Sequence, residues 1–436
     1  MDKKQLLLLG LIPLCIYCFW VLGYEVQQSE FNSIGLHSGL LFIVYFLVVQ
    51  WSDEQSLLFW ILAAILFRFL IIWGMPLLSD DVFRFIWDGR LILAGINPFD
   101  HVPSFYMETG NELEILPLSL FEKLNSPEYF TIYPPIAQLT FVVSVWLFPT
   151  NILANAIVMK IFLFGFELGN LWLIWKLLQH FKLPKQNILL YALNPLIIVE
   201  ICGNLHFEGA MIFFLLLSIW LIVNNKNIPS AIAYGGAIAA KLLPLMFLPF
   251  YIRRLGWKKS IIFFCTIGIS LIVLFLPILG PAFFEGFSNS LDLYFRRFEF
   301  NGSIYYAGRW LGYQLEGQNM IKKIGPVLAL CTLLSILLMA LLEKKKGWLS
   351  LFEKMLFAIT IYLAFTTTVH PWYVSLPIVT CLFTRFRYPI VWSALILMTY
   401  INYSYPEYYE NLLVVGLEYS LLGAYMIYEL FFKSDK

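Results

Sequence analysis

The sequence predicts an all-α polytopic membrane protein, a single bundle of about 11–13 transmembrane helices with two longer extracytoplasmic loops that carry amphipathic helices. Of the 436 residues, 60% are hydrophobic and only 13% are charged, about half the charged fraction of a soluble domain. The apolar residues form continuous blocks of about 17–25, the length that crosses a bilayer as a helix. Because the blocks do not alternate, helices are expected rather than a barrel.

Charge and cysteine content exclude several classes of function. The formal net charge is +1, so no nucleic acid or other polyanionic partner is expected. The cysteines mostly lie in apolar runs, which indicates packing residues rather than metal ligands. We therefore predict no metal and no cofactor. The basic start, followed by an apolar run without a cleavage signal, predicts an uncleaved first helix.

Lysine and arginine clusters predict which loops face the cytoplasm, where such residues concentrate. If the clusters face inside, two long loops, residues 76–132 and 279–320, face outside. The first of these loops contains nine acidic residues and three basic ones, which agrees with this orientation. The predicted inner clusters are Lys3–Lys4, Arg253–Arg254, Lys258–Lys259, Lys344–Lys346, Arg385 with Arg387, and Lys433 with Lys436.

Two regions do not fit a simple count of spans. The segment 181–186 should face inside, yet two apolar runs separate it from the first outer loop. Lys226 and Arg253 should both face inside, yet a single apolar run, interrupted at Lys241, connects them. Half-membrane or re-entrant segments would resolve both conflicts, since irregular backbone is tolerated at membrane depth where it lines a cavity.

A double acid opens the first outer loop in the stretch SDDVFRFIWDGR. Ser79 is the expected N-cap, and Asp80 and Asp81 lie in the first helical turn, where the helix dipole favours acids. They share one face of an amphipathic helix with Arg84 and Asp88. An isolated acidic pair is more often a solvated helix start with ordinary ion pairs. Its position, where a lipid-borne and a water-borne substrate would meet, favours a catalytic role.

The middle of the chain supplies further candidates. Asn204, His206 and Glu208 cluster at a predicted outer span end in GNLHFEGA. Lys241 lies inside an apolar stretch, where a charged amine needs a partner, either a ligand phosphate or a carboxylate. The alternatives are ordinary interface residues for the first three and snorkelling for Lys241. The alternative phosphate ligands are arginines of the second outer loop, Arg296, Arg297 and Arg309.

His370, Trp372 and Tyr373, in TTTVHPWYVSLP, lie at another predicted outer span end. An aromatic belt at the membrane interface accounts for Trp372 and Tyr373, but not for a histidine directly before proline. We expect His206, Glu208, Lys241 and His370 to converge on one cavity with the double acid.

These stretches, taken in order, resemble a known family. The double acid, FIWDGRLILAGINPF, YPPIAQ, LNPLIIVEICGNLHFEG, AAKLLPL and HPWY resemble the bacterial integral-membrane mannosyltransferases of the GT-C superfamily. The resemblance implies a GT-C-like bundle, a polyprenyl-phosphate sugar donor of undecaprenyl type, and a multi-pass protein of the bacterial inner membrane whose active site faces outside. It also implies that Asp80 or Asp81 is the catalytic base.

The residue types suit that chemistry. Displacing a polyprenyl phosphate from an anomeric carbon requires a base for the acceptor hydroxyl and donors or cations for the leaving phosphate. An inverting displacement needs one carboxylate base. The prediction is transfer of a hexose, with mannose expected, to a glycan or lipid-linked acceptor, with membrane lipid as a further partner. The predicted substrate-binding residues are Arg84, Asp88, Asn204, His206, Glu208, Lys241, His370, Trp372 and Tyr373.

Which aspartate is the base stays open at this point. Adjacent residues at a helix start point about 100° apart, so they cannot address one hydroxyl equally. Asp81 is expected to join an ion-pair network with Arg84 and Asp88, which would leave Asp80 freer to meet the acceptor.

A secondary transporter or flippase for a polar or lipid-linked substrate is the main alternative. It would place charges at the membrane midplane in broken helices and show internal repeats. The sequence has no duplicated pattern, and its carboxylates gather in one outer loop, so an enzyme is favoured. A polymerase that moves whole lipid-linked oligosaccharides and a lipid-binding scaffold are less favoured.

Overall fold

The computed structural model describes residues 3–296 and 298–433, with the backbone alone at Lys3, Gln5 and residues 290–296. Helices make up most of the described chain, which confirms the predicted all-α class. Within these residues, the β-type pairing is a single isolated parallel bridge between Phe300 and Thr368.

The helices of the first half are α1 (Lys3–Gly10), α2 (Ile12–Tyr24), α3 (Phe31–Trp51), α4 (Leu57–Ile71), α5 (Asp81–Leu93), α6 (Leu118–Phe121), α7 (Pro135–Leu147), α8 (Ile152–His180), α9 (Leu189–Ala192) and α10 (Pro195–Ile197). Those of the second half are α11 (Glu208–Val223), α12 (Asn227–Ala240), α13 (Pro249–Leu255), α14 (Trp257–Phe275), α15 (Phe283–Arg296), α16 (Ile304–Glu316), α17 (Ile321–Leu342), α18 (Trp348–Phe365), α19 (Ser375–Cys381), α20 (Tyr388–Leu395) and α21 (Leu412–Ile427).

Seven helices of the described chain are long and apolar enough to cross a membrane, or eight if a pair bent by 52° counts as one span. Several other apolar blocks fold into shorter helices of 10–17 residues, namely α4, α7 and α11. Fewer helices therefore reach spanning length than the predicted 11–13 spans. The protein is a multi-pass membrane protein.

Basic segments that are far apart in sequence meet at one end of the bundle, which we call the basic end. Arg254, at the end of α13, donates two hydrogen bonds to Glu343, after α17, at 2.5 and 2.8 Å. Phe352 at the start of α18 stacks on Phe383 with ring centroids 4.0 Å apart. Asn187 Nδ2 donates at 2.8 Å to the carbonyl oxygen of the residue before Phe383. The segment 181–186 therefore reaches the basic end.

Helix α7 explains how this segment gets there. Near the start of α7, Gln138 Nε2 donates to Asp88 Oδ2 of α5 at 3.1 Å. Just after α7 ends, the carbonyl oxygen of Pro149 accepts from Arg90 Nη2 of the same helix α5 at 3.0 Å. Helix α7 thus begins and ends beside α5. The 29-residue helix α8 then carries the chain to the basic end, and the first conflict in the span count disappears.

The second conflict is resolved by a break at Lys241. Helix α12 returns antiparallel to α11 and ends at Lys241, whose amine contacts Glu208 at the start of α11. A 3₁₀ turn over Leu243–Phe247 and helix α13 then lead back to the basic end. Lys226 and Arg253 therefore lie at the same end, because the interrupted run crosses the bundle twice.

Charged side chains also lie inside the bundle. Arg68 Nε of α4 donates to Glu167 Oε2 of α8 at 3.0 Å, and both side chains are fully buried. Arg68 Nη1 donates at 2.5 Å to the carbonyl oxygen of Ala192, at the break between α9 and α10. Lys160 Nζ donates to the carbonyl oxygen of Gly74, just after α4, at 2.7 Å. These charges satisfy backbone groups that the helix ends leave without partners.

The two long loops contact each other at the end opposite the basic end. Asn97 Nδ2 of the first loop donates to the carbonyl oxygen of Ile278 at 2.6 Å. Phe99 packs edge-on against Phe283 of α15, with centroids 4.9 Å apart. Together the loops cover the end of the bundle at which α5 begins.

Candidate active site

The start of helix α5 leaves the Asp80 carboxylate free. Asp80 occupies the N-cap position of α5 (φ −91°, ψ 1°), but its side chain makes no capping hydrogen bond. Ser79 is not the N-cap that the sequence predicted, because the helix begins one residue later; Ser79 Oγ accepts from the N–H of Asp81 at 3.4 Å. Among the described residues, no side chain bonds or pairs with the Asp80 carboxylate, which lines a cavity.

Asp81 has a different environment. Its Oδ1 accepts a hydrogen bond from Asn125 Nδ2 at 3.1 Å. Arg84 Nε donates instead to Asp88 Oδ1, one turn further along α5, at 2.9 Å. The expected network of Asp81, Arg84 and Asp88 is therefore wrong in one respect: Asp81 is held by an amide of the first loop, not by the arginine.

The Arg84–Asp88 pair clamps the first loop onto α5. Arg84 Nη1 donates to the carbonyl oxygen of Tyr129 at 2.8 Å. Asp88 Oδ2 accepts from Thr131 Oγ1 at 2.5 Å and from Gln138 Nε2 at 3.1 Å. Asp88 is fully buried, so its contacts are all with protein atoms. Of the two predicted substrate ligands, Arg84 lines the cavity beside the double acid and Asp88 does not.

A cavity of about 390 Å³ lies in front of the double acid, and we call it the acid cavity. Asp80 and Asp81 form one wall. Phe300 of the second loop, with Tyr403 and Tyr408 near the end of the chain, forms another, which we call the aromatic wall. The floor includes the HPWY segment.

A second cavity of about 170 Å³, the lysine cavity, adjoins the first. Asp81, Tyr133 and Trp372 line both cavities, so they are continuous at these side chains. His206 and Lys241 line only the second. The structure thus brings residues from distant parts of the chain together around the double acid.

A third cavity of about 340 Å³ continues from the lysine cavity into the bundle, and we call it the apolar cavity. Leu242, Leu243 and Tyr373 line both of these cavities. Its other walls come mainly from apolar side chains of α17 and α18, such as Ile336 and Phe365. Apolar side chains, an amine and a pair of carboxylates therefore line three adjoining cavities.

The imidazole and indole rings at the centre of the site form a stack. Trp372 lies between His206 and His370, with ring centroids 3.6 Å and 4.5 Å away. His370 in turn stacks on Phe300 at 4.7 Å. Burial, with His206 and Lys241 as neighbours, lowers the pKa of His370 to about 3, so this ring is neutral at physiological pH.

The parallel bridge between the second loop and the segment before His370 positions this stack. The N–H of Phe300 donates to the carbonyl oxygen of Thr367 at 3.1 Å, and the N–H of Val369 donates to the carbonyl oxygen of Phe300 at 2.8 Å. These bonds fix Phe300 against His370. The second loop thereby contributes to the cavity although no sequence motif marked residues 298–300.

Glu200, which the sequence analysis did not single out, contacts the candidate site residue His206. It is fully buried in a π-helical turn, Ile198–Gly203, and its Oε1 accepts from Tyr400 Oη at 2.7 Å. Its Oε2 lies 3.3 Å from His206 Nε2. An acid inside an apolar run, six residues before a candidate histidine, was the available signal. Leu205 adopts a left-handed conformation (φ 66°) beside this histidine, a strain typical of functional turns.

Lys241 is paired with a carboxylate, one of the two partners that the sequence predicted. Its amine contacts Glu208 and lies 5.1 Å from the ring centroid of Tyr373. Glu208 is fully buried, whereas the Lys241 side chain remains 28% exposed to the lysine cavity. One face of the amine can therefore receive a ligand.

Asn204 bonds to the backbone close to the double acid rather than lining a cavity. Its Oδ1 accepts from the N–H of Leu78 at 3.3 Å, and Gln28 Nε2 donates to the carbonyl oxygen of Leu78 at 3.1 Å. Asn204 itself lines neither the acid cavity nor the lysine cavity. It holds the backbone two residues before Asp80.

Of the arginines considered as alternative phosphate ligands, Arg297 lies outside the described residues, and for Arg296 only the backbone is described. Arg309 Nη1 donates to Glu299 Oε1 at 2.6 Å. Glu299 lines the acid cavity, while Arg309 does not.

The pKa of Asp80 differs from that of an ordinary aspartate at a helix start. Desolvation by the surrounding protein and the neighbouring charge of Asp81 raise the pKa of Asp80, although the side chain opens to water through the cavity. A raised pKa strengthens a carboxylate as a base.

Comparison with known proteins supplies the family. Residues 13–255, more than half of the chain, match the model of a family described as alpha-(1->6)-mannopyranosyltransferase, N-terminal domain. The chain belongs to this mannopyranosyltransferase family. The predicted resemblance to bacterial membrane mannosyltransferases is thereby confirmed. Asp80, Asp81, His206 and Lys241 fall inside the matched part, while the aromatic wall and the HPWY segment lie beyond it.

A relative in the mannopyranosyltransferase family is the alpha-(1->6)-mannopyranosyltransferase A of Mycobacterium tuberculosis (strain ATCC 25618 / H37Rv). It is 23% identical over 219 residues, which are 47% of this chain and 41% of the relative. The match thus covers less than half of that relative's length.

Proposed function

We propose that the protein transfers a mannosyl residue from a polyprenyl-phosphate donor to a hydroxyl group of a glycan or lipid-linked acceptor, with inversion at the anomeric carbon and with Asp80 as the general base. The family supports mannosyl transfer. The observation that carries the assignment of the base is the free carboxylate of Asp80 at the wall of the acid cavity, next to side chains that are already bonded to protein.

The proposed displacement forms one bond, breaks one bond and transfers one proton. The acceptor oxygen forms a bond to the anomeric carbon as the bond from that carbon to the phosphate oxygen breaks. The acceptor's proton passes to Asp80, and the electron pair of the broken bond leaves with the polyprenyl phosphate. Asp81, fixed by Asn125, would orient the acceptor. One carboxylate suffices, because a phosphate leaves without strong acid assistance.

The lysine and apolar cavities suit the donor. The Lys241 side chain is 28% exposed, and its amine would exchange part of its contact with Glu208 for the phosphate as charge develops on the leaving group. His206 lies on the same cavity. The apolar cavity beyond would take the first isoprene units. Soluble nucleotide sugars have no group to fill it.

We place the acid cavity on the outer face of a bacterial inner membrane. Lysine and arginine clusters concentrate in cytoplasmic loops, and here they meet at the basic end, opposite the double acid. A lipid-linked donor would then be used on the side where nucleotide sugars are absent.

A secondary transporter or flippase is the second candidate, and the buried Arg68–Glu167 pair at a bent helix is the observation in its favour. These charges are fixed by backbone and side-chain contacts, and they lie away from the three cavities. We therefore favour the enzyme.

The test uses purified protein in nanodiscs with polyprenyl-phosphate mannose and a mannooligosaccharide acceptor. We expect release of polyprenyl phosphate and extension of the acceptor, both slowed roughly 10²–10⁴-fold in Asp80→Asn. GDP-mannose without lipid carrier should not serve as a donor. Efficient transfer from GDP-mannose, or transport of the sugar lipid without transfer, would contradict the proposal.

A further inference from the structure

The aromatic wall and the double acid line the same cavity. Tyr403 lies at 5.9 Å, centroid to centroid, from both Phe300 and Tyr408, and Phe300 and Tyr408 are 6.5 Å apart. The three rings therefore form one patch rather than isolated contacts. The patch is built by residues beyond the part of the chain that matches the family model.

Packing alone does not account for Tyr408. Its side chain is 55% exposed, and it lines the cavity from a loop. The neighbouring Tyr409 is 58% exposed but does not line the acid cavity; its ring packs on Tyr405 with centroids 5.1 Å apart. Two adjacent tyrosines of equal exposure thus differ in whether they face the double acid.

The charge around the cavity restricts what it can bind. Among the described residues, neither Asp80 nor Asp81 has a cationic partner. Arg84, which also lines the cavity, is paired with Asp88. His370 on the floor is neutral at physiological pH. An anionic acceptor would be repelled by two carboxylates that have no cationic partner among the described residues.

A pyranose ring suits both walls. Its C–H face packs on an aromatic ring, and its hydroxyl groups form hydrogen bonds at the edge. A ring lying on Tyr408 and Phe300 would present a hydroxyl to the double acid, where no described residue donates a hydrogen bond to Asp80.

We propose that the aromatic wall is the subsite on which the terminal ring of the saccharide acceptor stacks, with Tyr408 as a specificity-determining residue. This inference rests on the proposed function, because it assigns the acid cavity to the acceptor. The double acid disfavours acceptors that carry phosphate or carboxylate at the reacting end, and a serine or threonine hydroxyl of a polypeptide lacks the ring that the wall receives.

Binding without any donor tests the proposal. The measurement is saturation-transfer NMR and calorimetry on the protein in nanodiscs, with a short α-1,6-linked mannooligosaccharide and the same oligosaccharide oxidised to a uronic acid at its non-reducing end. We expect the neutral ligand to bind and Tyr408→Ala to weaken it about tenfold, as loss of one aromatic stacking contact does. Tyr408→Phe, which keeps the ring, and Tyr409→Ala, the matched control, should bind as the unaltered protein does.

Three results would overturn the proposal: equal binding of the uronic acid, unchanged binding by Tyr408→Ala, or equal weakening by Tyr409→Ala. The proposed function fails separately. If the oligosaccharide binds through Tyr408 but polyprenyl-phosphate mannose is never consumed, the saccharide site stands and the transfer reaction does not.

Discussion

Asn125 Nδ2 donates a hydrogen bond to Asp81 Oδ1 at 3.1 Å, while the adjacent carboxylate of Asp80 has no protein partner among the described residues. The two neighbouring acids therefore have different environments, in agreement with the different tasks proposed for them. A carboxylate held by an amide is oriented, and a free carboxylate in a cavity can accept a proton from a substrate.

The first prediction separates these tasks by substitution. Asp80→Asn should lower turnover roughly 10²–10⁴-fold, the usual contribution of a general base, and should leave donor affinity nearly unchanged. Asp81→Asn should lower turnover less, because an asparagine can still bond to Asn125 or to the acceptor. Turnover and donor affinity are measured in the same nanodiscs. Near-normal rates for Asp80→Asn would move the search for the base to Asp81.

The second prediction concerns pH. Burial and the charge of Asp81 raise the pKa of Asp80, and a general base must be deprotonated to act. Activity should therefore fall, as the pH is lowered, at a higher pH than an ordinary aspartate would give. Asp81→Asn removes the repelling charge and should move this acidic limb of kcat/KM to lower pH. A limb that does not move would show that another group titrates.

The third prediction tests phosphate binding by Lys241. Lys241→Gln should weaken binding of polyprenyl phosphate roughly 10–100-fold, because a hydrogen bond to a charged group is lost. Glu208→Gln breaks the same ion pair but keeps the amine, so binding should be retained. Both variants lose the same internal contact, and their melting temperatures should fall together. Equal loss of binding in both would assign Lys241 a structural role only.

The sequence predicted contacts that a buried charge requires wherever it lies. It did not predict which of several possible partners a side chain takes when one of them is distant in sequence. An amine inside an apolar run must find an anion, so a partner for Lys241 could be expected, and Glu208 is that partner. Spacing along α5 allowed Asp81 to reach Arg84, but Asp88 takes the arginine and Asn125, 44 residues away, takes Asp81. Sequence spacing on one helix carries no information about such a competitor.

The same limit applies to the rest of the site. Glu200 was missed because its partner Tyr400 lies 200 residues further along the chain, so the pair leaves no local pattern. The aromatic wall was missed because tyrosines near a span end are common at membrane interfaces. Block length predicted the membrane class, but it could not predict that α7 turns back beside α5.

The fourth prediction concerns the clamp between α5 and the first loop. Asp88→Ala leaves Arg84 buried without its carboxylate and should destabilise the protein by about 3–5 kcal/mol. Lys323→Ala, which breaks an exposed pair with Glu316, should cost less than about 1 kcal/mol. Thermal unfolding in detergent measures both. A similar melting temperature for the two variants would contradict the clamp. Loss of the clamp should also reduce turnover, because it frees the loop that holds Asp81.

The fifth prediction tests the contact that seats α5 on α7. A Cβ atom at Gly89 would lie 2.8 Å from the carbonyl oxygen of Phe141 and 2.9 Å from its carbon. Backbone atoms cannot rotate away, so Gly89→Ala should force the helices apart and destabilise the protein by about 1–3 kcal/mol. Gly165→Ala is the matched control, because its Cβ meets nothing within 4 Å and alanine favours a helix by up to about 1 kcal/mol. We expect a lower melting temperature and reduced turnover for Gly89→Ala, and an unchanged or higher melting temperature for Gly165→Ala. If Gly89→Ala melts and turns over like the unaltered protein, close packing of α5 on α7 does not position the double acid.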